Sequence, residues 1–135
     1  MRIMLKGQTT TLNSQEMNST QKYLVGSYDI EIFTLPRTYK TIEITQSKTT
    51  TINVIASGIL NYTTQKGLVG QIFLDKGDQT FEWVCDLKDG TNFGIWNLQP
   101  GSYKVVYREK DQKSTAYTKE KNFKIESNKT ISLNL

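Results

Sequence analysis

Trp-Asn-Leu-Gln-Pro-Gly-Ser-Tyr-Lys-Val-Val-Tyr-Arg, residues 96 to 108, decides the fold. Leu98 closes one strand, and Pro100 and Gly101 make a tight turn, the proline through its fixed φ and the glycine through its missing Cβ. Tyr103, Val105 and Tyr107 then alternate with Ser102, Lys104 and Val106, a period of two that sends one set of side chains to each face of an outgoing strand. The stretch predicts a corner between two strands, with Leu98, Pro100, Gly101 and Tyr103 as its structural residues. A second corner lies upstream in Val-Gly-Ser-Tyr-Asp-Ile-Glu-Ile-Phe, residues 25 to 33, where Gly26 and Tyr28 hold the matching places.

The likeness extends beyond the corners. Tyr28 and Tyr103 stand 75 residues apart, and Ile30 and Ile32 match Val105 and Tyr107 at that offset. Ile44 matches Ile125 at an offset of 81, after which Lys48, Thr49, Ile52, Asn53 and Val54 fall in register with Lys129, Thr130, Leu133, Asn134 and Leu135. The difference predicts a longer loop in the second copy, around Lys110 to Ser114. Repetition at so long a period means tandem modules rather than a solenoid. Residues 58–135 are expected to form a complete β-sandwich module of about seven strands, and residues 1–57 a short or incomplete one. The fold class is all-β, two tandem antiparallel sandwiches of prealbumin or immunoglobulin type.

Taken in order, the chain suggests strands at Ile3 to Leu5 and Thr9 to Leu12, a polar loop to Lys22, and a strand with Tyr28, Ile30 and Ile32 on one face. Pro36 ends it. Lys40 to Thr45 and the threonine-rich Thr49 to Ile55 alternate again, the latter with Ile52 and Val54 on one side. Gly58 to Tyr62 opens the second module, Gly67 to Gly70 breaks the pattern, and Gln71 to Asp75 and Thr80 to Leu87 flank a turn at Asp75 to Asp78. Phe81, Trp83, Cys85 and Leu87 are expected on the buried face of the latter strand. Asp89 and Gly90 form a further turn, Ala116 to Ile125 a strand, and Ile131, Leu133 and Leu135 close the chain.

Composition agrees with sheet. Apolar residues make up only 36% of the 135, and threonine is abundant, which suits half-exposed strands better than helical bundles. The formal charge is +4, from 17 basic and 13 acidic residues. The signs are interspersed and arginine is scarce, so the lysines read as guards on outer faces and strand edges rather than as a nucleic-acid footprint. A single cysteine closes no disulfide within the chain, and Cys85 is expected to be an inert core thiol. No run approaches the ~20 apolar residues of a membrane span. The apolar stretch in Met-Arg-Ile-Met-Leu-Lys is shorter than a secretory signal requires, which leaves a protein that is not exported, a fragment, or a mature chain with an added Met1.

The residues Gly58 to Leu60, the Leu-x-Pro-Gly-x-Tyr of Leu98 to Tyr103 and the closing strand Thr130 to Leu135 resemble prealbumin-like sandwiches of the Cna-B and carboxypeptidase-regulatory type. Gly-Ser-Tyr-Asp-Ile-Glu-Ile-Phe-Thr-Leu-Pro from Gly26, Phe-Glu-Trp-Val-Cys-Asp-Leu from Phe81 and the corner itself are more closely similar to the tandem β modules that follow von Willebrand A domains in Bacteroidota proteins. The resemblance covers residues 23 to 135 and implies an extracytoplasmic or cell-surface setting. The Asp-x-Ser-x-Ser metal motif of the von Willebrand A domain is absent from the sequence. So is a lysine in Gly58 to Tyr62, where Cna-B modules carry one for an isopeptide bond, and Asn134 is expected to face outward.

Chemistry is sparse. The chain contains no histidine, which removes the commonest general base and zinc ligand, and no glycine-rich phosphate loop precedes a helix. Glu82 and Asp86 are expected on one strand face, where a two-carboxylate mechanism would need them, though such a pair is more often a solvated surface. Neither a catalytic residue nor a metal or cofactor is assigned. The leading expectation is a non-catalytic structural or adhesive module of a cell surface or extracellular filament, acting through self-association or neighbouring modules at strand edges. The alternative is a carbohydrate-binding module, with Trp96, Tyr62 and Tyr117 as the ligand-stacking candidates.

Overall fold

A computed structural model describes residues 1–65, 67–88 and 91–135. Among the described residues there is no α-helix, and the chain separates into two compact units, Met1–Val54 and Ile55–Leu135. The protein is all-β, built mainly of antiparallel strand pairs.

The first unit holds β1 (Arg2–Leu5), β2 (Asn13–Ser14), β3 (Gly26–Ile32) and β4 (Thr38–Ile44), paired antiparallel in the order β2-β1-β3-β4. Its inner face is written by the alternation in β3: Tyr28, Ile30 and Ile32 are buried with Ile3, and Ile42, Ile44, Ile52 and Val54 pack half-buried against them. On the outer face Glu31 is clamped by Arg2, whose Nε lies 3.0 Å from one carboxylate oxygen, and by Arg37, whose Nη1 donates to the other at 2.7 Å.

The second unit holds β5 (Gly58–Thr63), β6 (Leu68–Asp75), β7 (Phe81–Asp86), β8 (Phe93–Leu98), β9 (Gly101–Glu109), β10 (Lys119–Ile125) and β11 (Thr130–Asn134), with a 3₁₀ turn at Thr115–Tyr117. One sheet runs β10-β9-β6-β7, all antiparallel; the other runs β11-β5-β8, in which β11 lies parallel to β5. The core is fully buried Leu60, Tyr62, Ile72, Leu98, Tyr103, Val105 and Ile125, drawn from both sheets as in a β-sandwich. The corner at Gln99–Pro100 carries the chain from one sheet to the other, since Leu98 pairs with Gly58 while Gly101 pairs with Ile125.

The two four-stranded sheets share more than strand order. Tyr28 pairs with Leu5 on one side and Ile42 on the other; Tyr103 pairs with Leu74 and Phe123. Gly26 faces Ile44 as Gly101 faces Ile125. Aligned on the tyrosines, Arg-Ile-Met-Leu of β1 lies in register with Gln-Ile-Phe-Leu of β6. Each tyrosine hydroxyl donates to the carbonyl four residues upstream, Tyr28 to Leu24 at 2.8 Å and Tyr103 to Gln99 at 2.6 Å, which pins the chain as it turns into the strand.

Four expectations are corrected. Thr9 to Leu12 is not a strand: only Asn13 and Ser14 pair with β1. Thr49 to Ile55 keeps its alternation, with Ile52 and Val54 half-buried, yet forms no ladder, because the first unit has no counterpart of β5 for it to join. Gly70 does not break β6 but lies inside it, where a Cβ would strike the Val106 carbonyl and Leu87. Ala116 belongs to the 3₁₀ turn, so β10 starts at Lys119. The turn expected at Asp89 and Gly90 lies outside the described residues.

Candidate functional site

β7 departs from simple alternation, and the departure shapes the surface. Cys85 faces Ile72 while Trp83 faces Phe73, so Val84 is one residue too many on its strand. A β-bulge of this kind puts two residues against one and reverses the face of everything beyond it. Val84 and Cys85 are both buried, whereas Phe81 and Trp83 are turned outward and are 41% and 55% exposed. The expectation that all of Phe81, Trp83, Cys85 and Leu87 are core therefore fails for the first two. Lys104 covers Phe81, its Nζ 4.6 Å from the ring centroid.

The same bulge separates the two acidic residues of β7. Asp86 pairs with Gln71 and Glu82 with Leu74, an odd separation along β6 that assigns them to opposite faces by parity. Glu82 is ion-paired with Lys76 at 2.9 Å. Asp86 accepts hydrogen bonds from Gln71 Nε2 at 3.0 Å and Trp83 Nε1 at 3.2 Å. They do not converge on a scissile bond. Burial, with the Asp86 charge nearby, pushes the Cys85 thiol up to about 11, which keeps it protonated and unreactive at neutral pH. Among the described residues no cluster of three or more His, Cys, Asp or Glu is placed to hold a metal ion, and no helix is long and apolar enough to cross a membrane.

The aromatic candidates differ in what they present to solvent. Tyr62 is 1% exposed and points into the core, where its hydroxyl accepts from the Lys88 amide at 3.1 Å and its ring lies over Gly94, which has no Cβ to obstruct it. Trp96, opposite Leu60, is half-buried on the inner side of its sheet, with Nε1 shut away from solvent and the Lys88 ammonium 5.9 Å from the ring. Neither offers a free ring face as a stacking platform. Tyr117 does: it stands 55% exposed on the 3₁₀ turn.

Tyr117 borders a cavity of about 570 Å³ formed by the ends of β9 and β10, the 3₁₀ turn and the chain end, with Tyr107, Arg108, Gln112 and Asn134 in its walls. A second cavity of about 490 Å³ is lined by Gln71, Asp86, Val106 and Arg108, and shares Tyr107, Arg108 and Thr118 with the first. Asp86 in turn anchors the Trp83 indole. Arg108 is held in place by donating to the Lys113 carbonyl at 2.9 Å. Strand parity separates the two cavities: Tyr107 follows Tyr103 and Val105 to the inner face of β9, whereas Arg108 follows Lys104 and Val106 to the outer one, so the first cavity opens at the end of the sandwich between the sheets and the second on the outer surface, and Trp83 lines neither. The sequence gives no sign that Trp83 is exposed, because the bulge carries no turn residue to announce it.

No family model matches the sequence, and comparisons with curated proteins and with solved structures return no match either. The class of protein is therefore set by its own structure: an all-β protein of mainly antiparallel strand pairs, with a sandwich-like unit that bears two surface cavities.

Proposed function

We propose that this protein is a non-catalytic structural or adhesive module of a cell surface or extracellular filament, a pair of related β modules that joins its neighbours, further copies of itself included, through strand edges. The observation that carries this reading is the segment Thr49–Ile55. It alternates as a strand but has no ladder, whereas its counterpart in sequence, Thr130–Asn134, is paired along its length with Gly58–Thr63. Among the described hydrogen bonds it makes only two, its Asn53 carbonyl accepting from Lys40 Nζ at 2.9 Å and its own Thr50 hydroxyl donating to the Glu43 carbonyl at 3.1 Å. Open backbone groups on an extended segment invite an added strand. A second edge points the same way: β8, Phe-Gly-Ile-Trp-Asn-Leu, has no charged residue and exposes Phe93 and Ile95, unlike β10, which Lys119, Lys121 and Lys124 guard.

Residence outside the cytoplasm and a prealbumin-like ancestry belong to the same proposal, resting on the resemblance of the corner motifs. Sedimentation over a wide concentration range tests the central point. Self-association is expected to rise with concentration and to weaken at least tenfold in Thr51→Pro, which removes one edge N–H on an exposed residue. A chain that stays monomeric at high concentration overturns the reading, as does association indifferent to Thr51→Pro and to Ile95→Lys together.

A further inference from the structure

We infer that residues 49–54 bind an uncharged, extended segment of another protein, a small residue followed by apolar residues at alternate positions, which adds as a parallel strand in the place that β5 holds in the second unit. The pairing rests on the assembly reading, of which it names the partner at one edge.

Residues 49–54 lie against their sheet as β11 lies against its own. Each follows a turn with one residue in the left-handed region, Ser47 at φ 57° and Asn128 at φ 57°, 81 residues apart in the sequence. Each is then tied to the preceding strand by a lysine. Lys40 Nζ donates to the Asn53 carbonyl at 2.9 Å, and Lys121 Nζ to the Asn134 carbonyl at 3.0 Å, again at the offset of 81. The same turn and the same tie leave the same edge open on the far side. In β11 that edge is paired with β5. In the first unit it is unspent: among the described hydrogen bonds no backbone amide of residues 49–54 donates. An extended chain with free N–H and C=O groups is a template for an added strand.

The second unit also shows what such a strand covers. A Cβ on Gly58 would strike the Ile125 side chain and the carbonyls of Glu126 and Lys129, so the β5 backbone closes directly over Ile125, which is 1% exposed. The matching Ile44 has no such cover and stays half-buried. A small first residue on the incoming strand repeats that close approach. Apolar residues two and four places on, as Leu60 and Tyr62 are in β5, then fall on the inner side with Ile52 and Val54.

Charge and pairing narrow the source. Thr-Thr-Thr-Ile-Asn-Val, residues 49 to 54, carries no charge, and neither does β5; a charged strand would bring its ions against groups that offer no counter-charge. The β5 of a second copy is bonded on both sides, by β11 and β8. A folded copy therefore cannot lend it, and the strand comes from an extended segment of a different protein.

The test is titration of the full chain with a labelled peptide, Ala-Ser-Gly-Ile-Leu-Asn-Tyr-Thr-Thr-Gln, copied from residues 56 to 65. Fluorescence anisotropy should give a Kd tighter than about 1 mM, and amide hydrogen exchange should slow at least tenfold within residues 49–54. Thr50→Pro, which removes an N–H from an exposed residue, and Ile44→Asp should each weaken binding tenfold or more. So should serine in place of the peptide's leucine and tyrosine, whereas Ile95→Lys, on β8, should leave binding unchanged. Circular dichroism of each variant must match the parent; if Ile44→Asp proves unfolded, Thr50→Pro decides alone. Absence of binding overturns the inference, as does binding without slowed exchange in residues 49–54, binding that survives Thr50→Pro, or equal binding of the serine peptide. A chain that self-associates but ignores the peptide keeps the assembly reading and loses this partner; a chain that stays monomeric yet takes up the peptide at residues 49–54 does the reverse.

Discussion

The sheet around Tyr28 and the sheet around Tyr103 have the same strand order, the same register and the same hydroxyl-to-carbonyl bond at the corner, yet they are not equally well buried. Phe123 and Ile125, beside Tyr103, are 9% and 1% exposed, while Ile42 and Ile44, in the matching places beside Tyr28, remain half-buried. The difference lies in what covers them. In the second unit β5, β8 and β11 form a hydrogen-bonded sheet; in the first, a single unladdered segment lays Ile52 and Val54 on the inner face. Alternation alone brings apolar side chains to a surface. A ladder is what holds them there closely enough to exclude water, since buried backbone groups need partners before side chains can pack densely.

The strongest way to break this comparison is to remove each tyrosine. Tyr103→Ala deletes a ring stacked on Phe123 at 5.5 Å in a closed core and is expected to cost about 3–5 kcal/mol. Tyr28→Ala should cost visibly less, because the thinner cover can collapse into the space. Chemical denaturation of the two variants measures this, and equal losses would show that the unladdered segment packs as firmly as a sheet.

A smaller effect sharpens the contrast on the outer faces. The position of Glu31 is taken by Val106 in the second unit, so only the first depends on a clamped carboxylate. Glu31→Gln should lower stability by about 1–3 kcal/mol, leaving two arginines facing a neutral amide. Val106→Thr, on the other sheet, should change little. Thermal unfolding of both reads the result.

The smallest effects lie at opposite ends of the pH scale. The Thr41 hydroxyl and the Gly7 amide hold the Asp29 carboxyl below its usual range. Its contribution is therefore present above that range and is lost as pH falls through the depressed value. Cys85 behaves in the opposite sense. Burial raises its pKa to about 11 from 9.0, so the folded chain holds the thiol proton more tightly, and this contribution is whole below about pH 9 and lost as pH rises to about 11. The stability difference between the parent and Cys85→Ala should shrink across that alkaline interval, and that between the parent and Asp29→Asn should shrink in acid.

Much of the fold is legible in the sequence because its signals are local. Pro100, Gly101 and the alternation after them specify a corner within a few residues, and the Tyr28 and Tyr103 motifs share their spacing. What escapes is non-local. Nothing in Thr49 to Ile55 says that its would-be partner strand is missing, because β pairing is decided by distant chain. Nothing in Phe-Glu-Trp-Val-Cys-Asp marks Val84 as the extra residue, so simple alternation sends Trp83 inward and aligns Glu82 with Asp86. The cavity beside Tyr117 fares likewise: Tyr117 stands out as an aromatic in a polar stretch, but Leu68, Arg108 and Asn134, which join it in the walls, come from three separate strands and meet only once the sandwich is formed.

The parallel pairing of β11 with β5 has a mechanical side. Thr130 lies beside Ile59 and Asn134 beside Thr63, so the second unit takes in the chain at one pole and releases it at the other. A pull between those poles slides the two strands along each other and strains every rung of the ladder together, where an antiparallel terminal pair would unzip rung by rung. Tension applied through this unit meets its stiffest direction.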